Sequence, residues 1–141
     1  MLEQDRTEIR KERHKITQED FTPDCIIDRL LKGSEELFTD FSKIFCDPCA
    51  GIGNILLYIL RKRFENCQTQ SDCEQAVSTC YGTELMSDNT EECKERIYNL
   101  VQEFNFEVSN KIKEIVEHNI VCTVTFEWNY NVWAKACNGL F

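Results

Sequence analysis

No apolar run in the 141 residues reaches the length that a membrane-spanning helix needs. A secretion signal is missing as well, because charged residues recur throughout residues 1–20, where such a signal needs an unbroken apolar segment. These two absences argue against a membrane protein and against a secreted one. We therefore expect a cytoplasmic protein without membrane contact.

Positive charge is scarce. The chain has 16 Lys and Arg residues against 25 Asp and Glu residues, which gives a formal net charge of −9. Proteins that bind nucleic acid neutralise its phosphates with clustered Lys and Arg, so this balance opposes direct binding to DNA. The segment Arg61-Lys62-Arg63 is a local basic patch that runs against the trend. The charge as a whole predicts that DNA is reached only through a partner.

The cysteines match neither a disulfide framework nor a complete zinc site. There are nine, an odd number at irregular spacings, and several lie inside apolar runs, as buried thiols do. Cys46 and Cys49 form a CxxC pair, which supplies half of a structural zinc site. Cys67, Cys73 and Cys80 lack the spacing that would complete it. We predict reduced thiols and no bound metal, with zinc as the alternative.

Apolar residues recur with two different periods along the chain. After a polar arm at residues 1–20, segments with helical spacing alternate with short apolar runs typical of buried strands. Capping patterns mark three helix starts, namely Thr22 before Pro23, Ser71 with Glu74, and Asp88 with Glu91. The predicted order is a helix through residues 22–37, a strand at 44–46, a helix at 55–64, a short helix in 66–79, a strand at 80–85, helices at 88–104 and 108–117, and a strand or hairpin at 121–132.

Strands that alternate with helices predict a mainly parallel sheet in a doubly wound, Rossmann-like α/β fold. The length suits one domain, which we place at residues 21–141 behind the arm. In such a sheet, ligands bind at the carboxyl ends of the strands. Two segments of the sequence fall there.

The first segment is the glycine loop, residues 47–54, which reads Asp-Pro-Cys-Ala-Gly-Ile-Gly-Asn between a predicted strand and a predicted helix. Gly51 and Gly53 let a ligand approach the backbone closely, and the amino end of the next helix favours a carboxylate or phosphate. A tight strand-to-helix turn is the alternative explanation for two glycines in this place.

The second segment ends in Glu84, at the tip of the next predicted strand. A carboxylate there can accept hydrogen bonds from both ribose hydroxyls of a cofactor that contains adenosine. A solvent-facing Glu at a helix entry is the alternative. Glu84 and the glycine loop together favour an adenosine cofactor.

Three segments together resemble the adenine-N6 DNA methyltransferases of restriction–modification systems. They are Phe21-Thr22-Pro23, the loop from Asp47 to Asn54, and the strand from Tyr81 to Leu85, in the order in which that family carries them. The resemblance implies the class I methyltransferase fold and S-adenosylmethionine (SAM) as cofactor. By the same resemblance, the residues that hold SAM are Phe21, Thr22, Pro23, Asp47, Pro48, Gly51, Gly53 and Glu84.

Two departures from the family bear on its activity. The family transfers the methyl group at an Asn/Asp-Pro-Pro-Tyr/Phe motif after its fourth strand, where the motif holds the flipped adenine. The two prolines of this chain are Pro23 and Pro48, so the motif is missing and no catalytic residue is assigned. Val124 stands where the family has an acid that meets the adenine of SAM. We therefore expect an incomplete fold and no DNA methylation by the isolated chain.

Two classes of function follow. In the first, the chain is a SAM-binding component that a second methyltransferase subunit completes. In the second, it is an inactive methyltransferase-fold protein that senses SAM or acts through protein contacts. A dinucleotide-binding fragment is disfavoured because the loop lacks the third glycine of GxGxxG. The apolar tail, residues 126–133, either folds back on its own sheet or pairs with another copy or a partner, and we expect self-association.

Overall fold

The computed structural model describes residues 6–9, 11 and 22–133. Residues 6–9 and 11 belong to the predicted arm and are helical; the rest of the arm and Phe21 lie outside the described residues. The elements of residues 22–133 follow in this order: α1 (Asp24–Leu30), α2 (Glu36–Thr39), β1 (Phe45–Asp47), α3 (Asn54–Phe64), α4 (Gln70–Ser78), β2 (Cys80–Glu84), α5 (Ser87–Glu103), α6 (Asn110–Asn119) and β3 (Ile120–Cys122).

The three strands form one parallel sheet in the order β1-β2-β3. Phe45 is the partner of Cys80, and Gly82 is the partner of Ile120. The predicted parallel α/β sheet is therefore confirmed. Each crossover moves one strand further in the same direction, and the helices of both crossovers pack together on one face of the sheet.

That face carries the hydrophobic core. A Cβ at Gly82 would lie 3.0 Å from Leu56 Cδ1, so α3 packs directly on the middle strand. Cys73, Cys80 and Cys93 lie in this core, and the eight cysteines of the described residues are free thiols. Helices α3 to α6 contribute further side chains that are buried almost completely, among them Ile59, Leu60, Ile97, Val101, Ile112 and Val116.

Local sequence sets the helix ends, but not always where the capping patterns predicted them. α4 begins with a capping box in which the Thr69 hydroxyl accepts from the Asp72 amide and the Asp72 carboxylate accepts from the Thr69 amide. The predicted cap at Ser71 with Glu74 was therefore wrong. α5 begins after Met86 without a side-chain cap, and the predicted cap Asp88 lies inside its first turn. Within the described ranges, none of the helices has the length and apolarity needed to cross a membrane.

The single helix predicted across residues 22–37 is in fact two. α1 ends at Leu30, and Gly33 takes a left-handed conformation with a φ of +88° while its amide donates to the Glu35 carboxylate at 3.1 Å. A left-handed residue ends a right-handed helix, so α2 starts anew at Glu36. Pro23 rather than Thr22 occupies the N-cap of α1, where its backbone is extended.

The alternating segment after residue 121 is not the long strand or hairpin that its period predicted. β3 ends at Cys122, and residues 124–133 continue as turns and a short helical segment. The described chain offers no strand beyond β3 that could accept further ladder hydrogen bonds. The tail instead folds back on the sheet: Trp133 is 5% exposed, its ring centroid lies 4.9 Å from that of Tyr81, and its Nε1 donates to the His118 carbonyl at 3.0 Å.

A buried arginine joins the amino ends of the first two strands. Arg63 on α3 is fully buried. Its guanidinium donates to the Leu37, Lys43 and Ala76 carbonyls at 2.6, 2.7 and 2.7 Å, and to the Thr79 hydroxyl at 2.6 Å. Lys43 and Thr79 lie just before β1 and β2. This one side chain therefore fixes where both strands begin.

Arg63→Met removes these four hydrogen bonds and leaves their acceptors without the donor. The free energy of unfolding should fall by more than about 3 kcal/mol, since each unsatisfied buried acceptor costs roughly 1–3 kcal/mol. Arg61→Met on the same helix is the control, because the half-exposed Arg61 pairs with Glu103 and such a pair is worth about 1 kcal/mol or less. Urea unfolding followed by circular dichroism measures both variants. Equal losses would contradict the role given to Arg63.

Candidate functional site

The glycine loop leaves the carboxyl end of β1 and is held against the end of β2. Asp47 closes β1 opposite Gly82, and the Ala50 amide donates to the Thr83 carbonyl at 2.9 Å. α3 begins at Asn54, directly after the bend of the loop. The loop therefore lies at the carboxyl edge of the parallel sheet, the edge at which open α/β sheets bind ligands.

A small cavity of about 20 Å³ opens in this loop. Thr22 reaches the cavity from the segment before α1, while Asp47 and Gly51 line it from the loop. Three of the residues that the family resemblance assigns to SAM thus converge on one place. Asn54 also lines the cavity, and its Nδ2 donates to the Thr22 carbonyl at 3.0 Å. This hydrogen bond holds the start of α1 against the loop.

Asp47 is the buried acid of the cavity. The residue is 9% exposed, and its Oδ1 accepts a hydrogen bond from the Cys49 amide at 3.0 Å. Burial raises the pKa of the Asp47 carboxyl, and the hydrogen bond from Cys49 offsets only part of that rise. A cationic or hydrogen-bond-donating group that enters the cavity would stabilise the ionised carboxylate.

Glu84 ends β2 with its carboxylate held in a defined orientation. Its Oε1 accepts from the Leu85 amide at 2.9 Å, and its Oε2 accepts from Asn89 Nδ2 at 2.8 Å. Each carboxylate oxygen has a second lone pair, so the group can still accept hydrogen bonds from two hydroxyls. Glu84 does not line the small cavity, because it lies at the end of the neighbouring strand.

The two glycines of the loop have reasons to be glycine even without a ligand. Gly51 and Gly53 have φ angles of +56° and +89°, which side chains disfavour. A Cβ at Gly53 would lie 2.5 Å from Cys93 Sγ on α5. Gly53 is buried against that thiol and does not line the cavity, whereas Gly51 does. The tight-turn explanation therefore accounts for Gly53, and Gly51 serves both the turn and the cavity.

Pro48 connects the loop to two other segments through its carbonyl. The Thr83 hydroxyl donates to this carbonyl at 2.7 Å, and the hydroxyl of Thr125 in the returning chain donates to it as well. Val124, where the resemblance predicted an acid, is 40% exposed and adjoins Thr125 in the chain. The sequence contained no pattern that predicts this contact between Thr125, in the C-terminal segment from residue 123 to residue 133, and the glycine loop.

Sequence reasoning also missed Arg96. From α5, its Nη1 donates to the Ile52 carbonyl at 2.9 Å and to Asn54 Oδ1 at 2.7 Å. These partners lie 44 and 42 residues earlier in the chain. The spacing of Cys93 and Arg96 places both on one helix face, but spacing does not reveal what that face contacts.

A larger groove of about 660 Å³ runs between α3 and α5, and Arg61 and Lys62 contribute to its lining. It is not the basic patch predicted at residues 61–63. Arg61 forms an ion pair with Glu103 at 2.7 Å, Lys62 Nζ lies 5.7 Å from the centre of the Tyr58 ring, and Arg63 is in the core. Acidic residues share the lining, so the groove has no strong preference for anions.

The CxxC pair lies at the edge of the site as exposed thiols. Although Cys46 keeps contact with solvent, partial burial of its thiol and the nearby Asp47 raise the pKa of that thiol, which keeps it protonated at neutral pH. In the part of the chain that the structure describes, no three His, Cys, Asp or Glu side chains are grouped as metal ligands.

Comparison of the chain with protein-family models, with curated proteins and with solved structures finds no match. The structure itself shows a parallel α/β sheet with the glycine loop at its carboxyl edge.

Gly53→Ala should destabilise the protein more than Gly33→Ala. The two glycines have φ angles of +89° and +88°, so each Ala costs roughly 1–2 kcal/mol for the left-handed backbone. A Cβ at Gly33 meets nothing within 4 Å, whereas at Gly53 it overlaps Cys93 Sγ. That overlap should add about 1–3 kcal/mol. Thermal unfolding of the two variants measures the difference, and equal losses would show that α5 does not press on the loop.

Proposed function

We propose that the chain is the SAM-binding component of an enzyme like the adenine-N6 DNA methyltransferases, and that a partner subunit completes it for catalysis. The observation that carries this proposal is the convergence of Thr22, Asp47 and Gly51 on one cavity at the carboxyl edge of a parallel sheet. Glu84 supplies a second acid at the end of the adjacent strand. The class I methyltransferase fold, of which these three strands would be one part, belongs to the same proposal.

The residues present fit the chemical groups of SAM. Asp47 would accept hydrogen bonds from the ammonium group of the methionine end, and the amino end of α3 favours its carboxylate. Glu84 would accept from the two ribose hydroxyls through the lone pairs that Leu85 and Asn89 leave open. The cavity holds the volume of about one water molecule, so a single small group of the ligand, such as its ammonium, would enter it while the rest lies outside. When bound, SAM supplies an electrophilic methyl group on its sulfonium.

Methyl transfer requires a second polypeptide in this proposal. The chain has no Pro-Pro motif to hold a target base, and its net charge of −9 opposes contact with phosphates. β1 lies at the edge of the sheet, and Ile44 just before it is 47% exposed. Edge strands readily pair with another strand through their backbone groups. A strand of the partner subunit, or of a second copy, would pair at β1.

One contact favours a second candidate, a SAM-sensing protein without methyltransferase activity. Thr125 donates a hydrogen bond to the Pro48 carbonyl, so a ligand that shifts the glycine loop also acts on the C-terminal segment. That segment contains both tryptophans of the chain, Trp128 and Trp133. Occupancy of the site would then change how the tail packs on Tyr81 and which surface it presents to another protein.

Isothermal titration calorimetry should detect binding of SAM or S-adenosylhomocysteine to the wild-type chain. Glu84→Ala should weaken binding by roughly 1–3 kcal/mol because charge-assisted hydrogen bonds are lost. Glu84→Gln keeps one acceptor oxygen and should lose less. Glu95→Ala, which removes an exposed carboxylate from α5, is the control and should leave the affinity unchanged. No binding by the wild type, or equal affinity of wild type and Glu84→Ala, would contradict the assignment.

The isolated chain should not methylate DNA. With tritiated SAM and duplex DNA of mixed sequence, label in adenine should stay at background, because the motif that holds the flipped base is missing. Tryptophan emission in the same mixtures separates the two candidates, since a SAM-dependent shift from Trp128 and Trp133 supports the sensor. Label in adenine that exceeds the amount of protein would show that the catalytic groups lie within this chain after all.

A further inference from the structure

Helix α5 contacts the glycine loop at two points on one face. Cys93 Sγ occupies the space beside Gly53 so closely that a Cβ there would come within 2.5 Å of it. Three residues further along the helix, Arg96 Nη1 donates to the Ile52 carbonyl at 2.9 Å. The first contact restricts the loop by packing and the second by a charge-assisted hydrogen bond. Both act on the bend between Gly51 and Asn54, the two residues on either side of it that line the cavity.

The contact from Arg96 extends to the wall of the cavity. The same Nη1 donates to Asn54 Oδ1 at 2.7 Å, which leaves Asn54 Nδ2 to donate to the Thr22 carbonyl at 3.0 Å. An Asn side chain has one acceptor end and one donor end. Because the Arg96 guanidinium donates to the acceptor end of the Asn54 side chain, it determines that the donor end faces Thr22. Asn54 and Thr22 both line the cavity.

We propose that Arg96 is a positioning residue of this ligand site: it fixes the glycine loop at Ile52 and orients Asn54, so that Thr22 is held at the cavity. Arg96 itself does not line the small cavity, and it acts on a ligand only through the loop and Asn54. The identity of the ligand as SAM rests on the function proposed above. The positioning role rests on the contacts themselves.

A guanidinium is better suited to this task than an ammonium. Each Nη carries two N–H groups in a fixed plane, so one nitrogen reaches the Ile52 carbonyl and Asn54 Oδ1 together. A Lys side chain is shorter, and its ammonium is a point charge without that planar geometry. Arg96→Lys should therefore restore part of the function that Arg96→Met loses.

Amide hydrogen exchange, measured by NMR on the full chain, tests the positioning role without any ligand. The Gly53 amide donates to the Ala50 carbonyl within the loop, and the Phe45 amide donates to the Thr79 carbonyl in the sheet. In Arg96→Met, exchange at Gly53 should accelerate by at least about tenfold, while exchange at Phe45 stays near its wild-type rate. Arg96→Lys should show a smaller acceleration. Arg61→Met, across the same groove, should change neither rate.

Equal acceleration at Gly53 and Phe45 would show a general loss of stability and overturn the proposal, as would an unchanged rate at Gly53. The SAM titration then separates this proposal from the proposed function. If the wild type binds SAM, Arg96→Met should lower the affinity by about fivefold or more and Arg96→Lys by less. If Arg96→Met speeds hydrogen exchange at the Gly53 amide but leaves the affinity for SAM unchanged, the role of Arg96 in binding is overturned. If the wild type does not bind SAM, the proposed function fails, and the exchange rates still decide the role of Arg96.

Discussion

The buried guanidinium of Arg63 sets the geometry on which the candidate site depends. A charge removed from water is tolerated only when its hydrogen-bonding groups are satisfied, and four acceptors meet that need here. These acceptors come together only when α2, α4 and the segments before β1 and β2 have assembled around α3. Because Lys43 and Thr79 lead directly into the two strands, the pairing of Phe45 with Cys80 is fixed at the amino end. The carboxyl ends of both strands therefore finish side by side.

Helix α3 connects this constraint to the site. Its last turn contains Arg63, and its first residue is Asn54, which lines the cavity. A packed helix behaves as a rigid element, so the end of the glycine loop is placed relative to the starts of the strands. α5 completes the frame from the other side through Cys93 and Arg96. A loop held between two packed helices is preorganised, which lowers the entropic cost of binding a ligand.

The sequence allowed the strongly periodic elements to be predicted, and with them the place of the glycine loop. Its residues sit at the carboxyl edge because any glycine pair between a parallel strand and its crossover helix must lie there. The sequence could not predict which of the helical arginines lies at the surface, which in the core and which at the loop. Arg61, Arg63 and Arg96 all lie on amphipathic helices, yet one is at the surface, one is in the core and one holds the loop. Only packing between distant segments decides among these. The prediction of a strand or hairpin at residues 121–132 was wrong for a related reason. A period of two makes a strand only where a neighbouring strand can accept its hydrogen bonds.

The two faces of the sheet are covered unequally. The less covered region lies near β1, the strand at which the proposed partner would pair. Residues 81 and 82 face opposite sides of β2: Gly82 meets α3, and Tyr81 meets Trp133 of the tail. Cys46 is the partner of Tyr81 in the ladder and shares its face, but it is exposed. Among the described residues, the cover over this face therefore decreases from the middle strand towards β1, the edge strand. A partner strand paired with β1 would thus extend the sheet, cover Cys46 and bring its own groups beside the glycine loop through a single contact.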